Sequence, residues 1–309
     1  MISILKPALQ TTVQDLGRRG FRHLGVGLCG AMDSLSLTIG NYLVGNTADT
    51  AALEFCVPPA RLRFDVPCAM ALTGADCSAR LDGVPIDVGR RIAVEAGQIL
   101  DLEAPGAGCR AYLCVAGGID VPLVMGSRST DLQAAMGGLD GRLIGRGDIL
   151  KIAATDAPRE SGTGVLLPTL GNVIRVMPGP EFDSFEEESR DLFFSAEWKV
   201  TTQSNRMGYR LAGPALIRLD ANELKSHAVF PGFVQVPAGG APIVLMADSQ
   251  ATGGYPRFAI VIAADQWRLA QIAPGTSIRF ARLGRAEATL ALQRQRLYLQ
   301  KIHGSLHAN

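Results

Sequence analysis

The sequence lacks the features that mark membrane and nucleic-acid-binding proteins. No apolar run reaches the roughly 20 residues that span a bilayer, and the start MISILKPALQ has no apolar signal-peptide segment. Thirty Lys and Arg balance 29 Asp and Glu, for a net charge of +1 without a basic cluster. Nucleic-acid binding needs a clustered basic surface. We therefore expect a cytoplasmic protein that binds neither a membrane nor nucleic acid.

Cysteine and histidine are too sparse to predict a metal site or a disulfide framework. The six cysteines stand apart in apolar stretches without a CxxC pair, and there are only four histidines. We therefore expect buried free thiols and no metal ligand set. The sequence also contains no GxSxG, HExxH or GxxxxGK[ST] motif, so it lacks these hydrolase, metalloprotease and phosphate-loop signatures.

Glycine, in contrast, is abundant, with 35 among 309 residues. Residues 61–102 contain short runs of alternating apolar residues separated by glycine-containing turns, which is typical of strands and hairpins. Helical signals are confined to residues 33–43, 182–193 and 286–302. The pattern predicts a mainly β protein with a few short helices, and closed or partly closed barrels are the natural architecture for so many short strands.

The length favours two domains, because a single domain usually has about 100–200 residues. The segment 153–172 is rich in Ala, Gly, Pro and Thr and is the most linker-like part of the chain. We therefore predict an N-terminal β-barrel domain over residues 1–160 and a C-terminal β-barrel domain over residues 161–309.

Two polar blocks adjoin apolar strands in the second half, SNRMGYRL at residues 204–211 and MADSQATGGYP at residues 246–256. Polar groups so close to a core must be hydrogen-bonded internally or held for a ligand. Arg206 and Arg210 have the chemistry to grip an anionic group, and Asp248 has the chemistry to move a proton. An internal ion pair between Arg206 and Asp248 explains the same residues, and the residue types leave both interpretations open.

The first half contains comparable polar blocks. They are TVQDLGR at residues 12–18, GAMD at residues 30–33 and GSRSTD at residues 126–131. The Ser, Thr and Asp cluster of the last block fits either a helix cap or a nest that binds an anion, and the cap is favoured.

Eight ordered blocks over about residues 3–290 resemble a known family. They are TVQDLGRxG, GAMD, LVGN, LTGAD, GCRAYLCVAGGID, GSRSTD, SNRMGYRL and LMADSQATGGYP. Together they are similar to the allophanate hydrolase subunit 2 family, also called the biotin-dependent carboxyltransferase-like or kinase A inhibitor antagonist family. The resemblance implies two cyclophilin-like β-barrel domains.

The resemblance also implies a function. Bacterial members include the C subunit of ATP-dependent 5-oxoprolinase, a hydrolase complex that converts 5-oxo-L-proline to L-glutamate. It implies ATP with Mg in the assembled complex, no tightly bound cofactor in this chain, and inactivity without the partner subunits. Those partners are an A subunit and a B subunit, the latter similar to allophanate hydrolase subunit 1. A carboxyltransferase-type component of a biotin-dependent urea or amide carboxylase, and a non-enzymatic antagonist of a histidine-kinase inhibitor, remain alternatives.

Within the resemblance, the polar blocks fit the binding of a small amide or lactam at a junction between subunits. We expect Asp248 and Arg206 to be catalytic, with no metal ligand. The expected substrate-binding residues are Tyr209, Arg210, Gln250, Thr252, Asp33 and Arg128. Two positions depart from the family pattern, because Cys29 and Ala251 stand where Ser and Thr are expected. Both lose a hydroxyl, and if either hydroxyl contacts the substrate in the family, we expect activity or specificity to differ here, whereas Thr252 remains.

Overall fold

Alternating apolar runs form strands along most of the chain, and the expectation of a mainly β protein is confirmed. The computed structural model describes residues 1–157, 160–162, 164–220 and 224–307. The chain divides into two units. The first comprises Met1–Arg19, Cys29–Leu170 and Leu297–Asn309, and the second comprises Gly20–Leu28 and Gly171–Arg296. None of the helices in the described residues combines the length and apolarity that a bilayer crossing demands.

The first unit contains the helix α1 (Ser34–Leu43), two sheets and the C-terminal part of a helix that begins in the second unit. One sheet has the strand order β11-β1-β4-β9-β6-β7 and the other β2-β3-β10-β5-β8. The strands are β1 (Ile2–Lys6), β2 (Gln10–Gln14), β3 (Ala52–Cys56), β4 (Ala60–Phe64), β5 (Cys68–Asp76), β6 (Arg80–Leu81), β7 (Val84–Pro85), β8 (Arg91–Val94), β9 (Ile99–Leu102), β10 (Ala107–Val115) and β11 (Ile149–Leu150).

In the sheet that contains β2, β3 and β10, one face packs on the hydrophobic core of the unit and the other carries a row of polar side chains. Leu53 and Phe55 of β3 lie in the hydrophobic core of the unit. Because side chains alternate along a strand, Glu54 lies on the opposite face. The register places Glu54 opposite Thr12 of β2 on one side and Tyr112 of β10 on the other. A row of polar side chains therefore crosses three strands on the face away from that core.

The second unit is a closed barrel with the strand order β12-β19-β16-β17-β14-β13-β20. A parallel pairing of β12 with β20 closes it. Two short helices, α2 (Glu187–Ser195) and α3 (Gln266–Ala270), accompany the strands, which are β12 (Val173–Pro178), β13 (Trp198–Val200), β14 (Gly208–Ala212), β15 (His227–Ala228), β16 (Phe233–Gln235), β17 (Ile243–Leu245), β18 (Thr252–Gly253), β19 (Arg257–Val261) and β20 (Ser277–Arg282). The helix α4 (Arg285–His307) follows β20.

Aromatic packing explains why α2 differs from the helix expected at residues 182–193. The helix begins at Glu187, and a 3-10 turn precedes it at residues 182–184. Phe182 and Phe185 pack edge-on against Phe258, with ring centroids 5.0 and 4.9 Å apart. This contact holds residues 182–185 outside the regular helix.

The other helix predictions agree better with the structure. Asp33 caps α1 as its chemistry predicts, because its carboxylate accepts a hydrogen bond from the Ser36 backbone N–H at 2.8 Å. The helix α4 ends at His307, five residues beyond the expected end. The helix α3 was not predicted, because its five residues are too few to show helical periodicity. The six cysteines are free, as expected, and all except Cys56 are buried.

Candidate functional site

Arg206 and Asp248 are brought together at the end of the β14–β17 ladder. Gly208 pairs with Leu245, and the ladder continues beyond it, because the Asp248 N–H donates to the Arg206 carbonyl at 2.9 Å. The guanidinium then grips the carboxylate with two parallel bonds, Nε to Oδ2 and Nη2 to Oδ1, each 2.8 Å long. The two side chains are only 6% and 5% exposed. This is a buried bidentate ion pair, one of the two alternatives that the residue types left open.

The remaining predicted residues of this barrel occupy different environments. Tyr209 and Arg210 are neighbours on β14, so their side chains point to opposite faces. Tyr209 is buried and Arg210 is exposed. Gln250 and Thr252 are exposed, and Thr252 pairs with Ala228 in the short β15–β18 ladder. Tyr209 and Arg210 therefore do not face the same ligand. The roles of all four residues stay predictions.

Arg22 is a cation at this barrel that sequence reasoning missed. Its Nη2 donates to the backbone carbonyls of Val229 (2.6 Å) and Gln250 (2.9 Å). Its guanidinium also lies 5.4 Å from the ring centroid of Phe230, a distance at which a cation–π contact is favourable. Arg22 thus fastens the segments on either side of the β15–β18 ladder. Its position in the charged stretch RRGFRH gave no signal of these distant partners.

A second charged pair, Glu181 with Arg257, lies in the same unit. Arg257 Nε donates to Glu181 Oε2 at 2.9 Å and Nη2 donates to Oε1 at 2.7 Å. Burial alone would raise the pKa of Glu181, but the hydrogen bonds and charge of Arg257 outweigh it and hold that pKa below its usual value. Glu181 is therefore a carboxylate at neutral pH.

A cavity of about 700 Å³ borders the second of the polar blocks. Residues 215–220 and 236–240 form most of its wall, and Gly254 and Tyr255 contribute from the TGGYP segment. The eight predicted site residues are not among the described residues that line it. The cavity is therefore separate from the Arg206–Asp248 pair.

In the first unit, Asp33 belongs to a buried network with Tyr112 and Glu54. The Asp33 N–H donates to the Tyr112 hydroxyl at 2.8 Å, and this hydroxyl donates to Glu54 Oε2 at 2.7 Å. The Met32 N–H donates to the same carboxylate oxygen at 2.9 Å, and Arg110 Nε lies 3.7 Å from the other. Asp33 is thus placed as a helix cap and network member, and its predicted substrate contact stays a prediction.

Arg128 lies in a loop that wraps around Asp15. The Asp15 carboxylate accepts hydrogen bonds from the Arg128 backbone N–H (2.6 Å) and from the hydroxyls of Ser127 (2.7 Å) and Ser129 (2.5 Å). The Arg128 side chain is half-buried, and its Nε donates to the Val121 carbonyl at 2.9 Å. The GSRSTD block therefore does not cap a helix, contrary to the favoured interpretation; two of its hydroxyls and one of its backbone N–H groups hold the protein's own Asp15 instead.

Sequence reasoning did not select Glu54, Arg110 or Tyr112, although a signal was present. Glu54 stands in the apolar strand ALEFC and Arg110 in the apolar strand AGCRAYLCV. Charged residues are rarely buried unless they are paired. Each charge inside a buried strand therefore indicated a partner on a neighbouring strand.

We expect Tyr112→Phe to destabilise the protein by about 1–3 kcal/mol, because it leaves a buried carboxylate and a buried N–H short of a partner. Burial and the Glu54 carboxylate raise the pKa of Tyr112 well above its usual value near 10. The neutral phenol therefore makes its full contribution to the free energy of unfolding below pH 10, and this contribution is lost as the pH rises above 10. The stability difference between wild type and Tyr112→Phe, measured by urea unfolding from pH 8 to 11, should narrow above pH 10. Tyr255→Phe, at an exposed position, is the matched control and should keep the wild-type profile.

The comparisons with known proteins agree with one another. The family described as carboxyltransferase domain, subdomain A and B, matches residues 24–282. The chain is 48% identical to the Escherichia coli K12 protein named as the C subunit of 5-oxoprolinase, over 99% of both chains. It is 41% identical to the protein of the same name from Haemophilus influenzae, over 98% of this chain and 97% of that one.

Among solved structures, the crystal structure of the K. lactis urea amidolyase superposes with a TM-score of 0.91 at 32% sequence identity. The match covers 97% of this chain but only 20% of that protein. The chain therefore corresponds to about a fifth of that larger enzyme.

Proposed function

The chain belongs to the carboxyltransferase domain family, subdomain A and B, and we propose that it is the C subunit of an ATP-dependent 5-oxoprolinase complex. One observation carries this proposal. The similarity to two proteins that are named as C subunits of 5-oxoprolinase extends over nearly the whole of each chain. In this proposal the complex contains an A subunit and a B subunit similar to allophanate hydrolase subunit 1, and its substrate is 5-oxo-L-proline.

A carboxyltransferase role in a biotin-dependent urea carboxylase is the second candidate. The urea amidolyase structure favours it, because the folds superpose closely over 97% of this chain. Identity is lower, however, at 32% against 48% for the E. coli protein. The remaining four-fifths of that larger enzyme has no counterpart in this chain. The first proposal therefore has the stronger support.

The chemistry of a lactam explains why such a complex would use ATP. Direct attack of water on a resonance-stabilised amide is slow, and phosphorylation of the carbonyl oxygen would make that oxygen a leaving group. Cationic side chains would stabilise the negative charge that develops. Among the described residues, no three or more His, Cys, Asp and Glu side chains are grouped to hold a metal ion. In this proposal the assembled complex uses ATP with Mg, and no step with them is assigned to a residue of this chain.

Reconstitution tests the proposal. The chain is combined with the products of its neighbouring genes, and glutamate release from 5-oxo-L-proline and ATP is measured. We expect turnover by the complete complex and none by the chain alone. Glutamate release by the isolated chain at the rate of the complex would contradict the subunit role. Carboxylation of urea that requires biotin and bicarbonate, without glutamate release, would support the second candidate instead.

A further inference from the structure

Arg18 is a fully buried guanidinium that forms no ion pair among the described residues. Its Nε donates to the Val124 carbonyl at 2.9 Å and its Nη2 donates to the Ser129 carbonyl at 2.6 Å. Its Nη1 is also buried but has no hydrogen-bond partner in the described part of the chain. A buried donor without an acceptor is costly, so the environment of Nη1 is short of one acceptor atom.

Gln14 shows the opposite deficiency nearby. Its side-chain nitrogen donates to Thr12 Oγ1 at 3.0 Å and to the Thr130 carbonyl at 3.3 Å. A carbonyl can only accept, so this contact fixes which end of the Gln14 amide is nitrogen. The Oε1 atom of this fully buried residue has no donor among the described residues. Its environment is short of one donor.

The two deficiencies lie beside the same segment and complement each other. Gln14 and Arg18 hold the carbonyls of consecutive residues, Thr130 and Ser129. An amide group offers what both lack, because its carbonyl oxygen accepts a hydrogen bond and its N–H donates one. We infer that Gln14 and Arg18 form a recognition site for a small amide ligand, with the ligand oxygen on Arg18 Nη1 and the ligand N–H on Gln14 Oε1.

The connection between β10 and β11, residues 116–148, closes this site. It is far longer than the 12–15 residues beyond which loops in compact domains are usually functional. It contains three non-glycine residues in the left-handed region, Met125 (φ 51°), Ala135 (φ 49°) and Asp140 (φ 55°), a strained conformation that clusters at functional sites. A Cβ atom on Gly137 would lie 2.5 Å from Arg18 Nη2, so the backbone closes directly on the guanidinium. The connection must open to admit a ligand.

This inference rests on the proposed function and identifies how the chain would recognise its substrate. A lactam such as 5-oxoproline and an open-chain amide such as urea share the group that the site would bind. Gln14 and Arg18 fit the amide group that both ligands share. The affinities of lactam and open-chain probes, compared directly, distinguish the two ligand classes.

Binding to the full chain tests the inference with three probes: 5-oxo-L-proline, 2-pyrrolidinone and urea. Affinities come from saturation-transfer NMR titrations, and hydrogen exchange of residues 124–138 is measured with and without each probe. We expect at least one probe to bind and to slow exchange in this segment. Tighter binding of the two lactams would identify a lactam as the ligand. Tighter binding of urea would identify an open-chain amide. If none of the probes binds, or if binding leaves exchange unchanged, the inference is wrong.

Variants then locate the binding. Gln14→Met removes the free acceptor at similar volume, and Arg18→Lys keeps the charge but loses the planar fork. Each should weaken binding at least about tenfold. Arg146→Gln, at an exposed arginine in the same connection, should bind like wild type. Gln14→Met serves alone if Arg18→Lys does not fold. Wild-type affinity in folded Gln14→Met, or a water in place of the probe in soaked crystals, would overturn the inference.

The same variants separate this inference from the proposed function. If the complete complex releases glutamate and Gln14→Met leaves kcat/KM unchanged, the recognition site is wrong and the function stands. If the complex releases no glutamate but the amide probes bind and the variants weaken them, the function is wrong and the recognition site stands.

Discussion

Asp248→Asn should lower the free energy of unfolding by about 3–5 kcal/mol, because it removes one partner of a buried ion pair and leaves the other charge uncompensated. Both oxygens of the Asp248 carboxylate accept from Arg206 at 2.8 Å, and the backbone of Asp248 bonds to Arg206 as well. Asn preserves the shape but offers one acceptor oxygen in place of two. Arg206→Lys keeps the charge and loses the two-point grip, so we expect a loss in the same direction.

Melting temperature and activity of the assembled complex, measured together, distinguish the two roles of this pair. A large fall in melting temperature with a proportionate loss of folded protein indicates an ion pair that stabilises the barrel. An unchanged melt with turnover reduced about 10²-fold or more would instead indicate that Asp248 handles a proton. The control is Glu197→Gln, because the Glu197–Arg279 pair is more than half exposed and should change stability by less than about 1 kcal/mol. Wild-type melting and turnover in both variants would exclude the pair from the site.

Local sequence signals predicted the elements whose causes are local. Alternation predicted the strands, and the chemistry of Asp33 predicted the start of α1. The start of α2 was not predictable in this way, because it depends on Phe258, more than 70 positions away, against which Phe182 and Phe185 pack. Helix propensity near residue 182 is overridden by this tertiary contact.

The candidate site was predictable only where local spacing decides the geometry. The two polar blocks correctly indicated a meeting of Arg206 with Asp248, because both adjoin strands that pair. Alternation along β14 would also have shown that Tyr209 and Arg210 face opposite ways. The network of Glu54 and Tyr112 depends on the register of three strands. No local pattern in a single sequence specifies that register.

The network in the first unit gives the second large expected effect. Glu54→Gln should destabilise the protein by about 3–5 kcal/mol, because it breaks a pair in which the side chains of Glu54 and Arg110 are 2% and 4% exposed. Gln keeps an oxygen that can accept from the Tyr112 hydroxyl and the Met32 N–H. The loss of stability therefore measures mainly the removal of the carboxylate charge. Equilibrium urea unfolding of the wild type and the variant measures it.

A double-mutant cycle decides whether the charge pair causes that loss. Glu54→Gln, Arg110→Met and the double variant are unfolded under the same conditions. If the two charges stabilise each other, the double variant is less destabilised than the sum of the single variants, by about 0.5–3 kcal/mol. Arg110 Nε lies 3.7 Å from Glu54 Oε1 and both side chains are buried, so the cycle measures the whole interaction between the two side chains. Strict additivity would show that the two charges contribute no coupling energy, and that the loss in Glu54→Gln arises from the other contacts of Glu54.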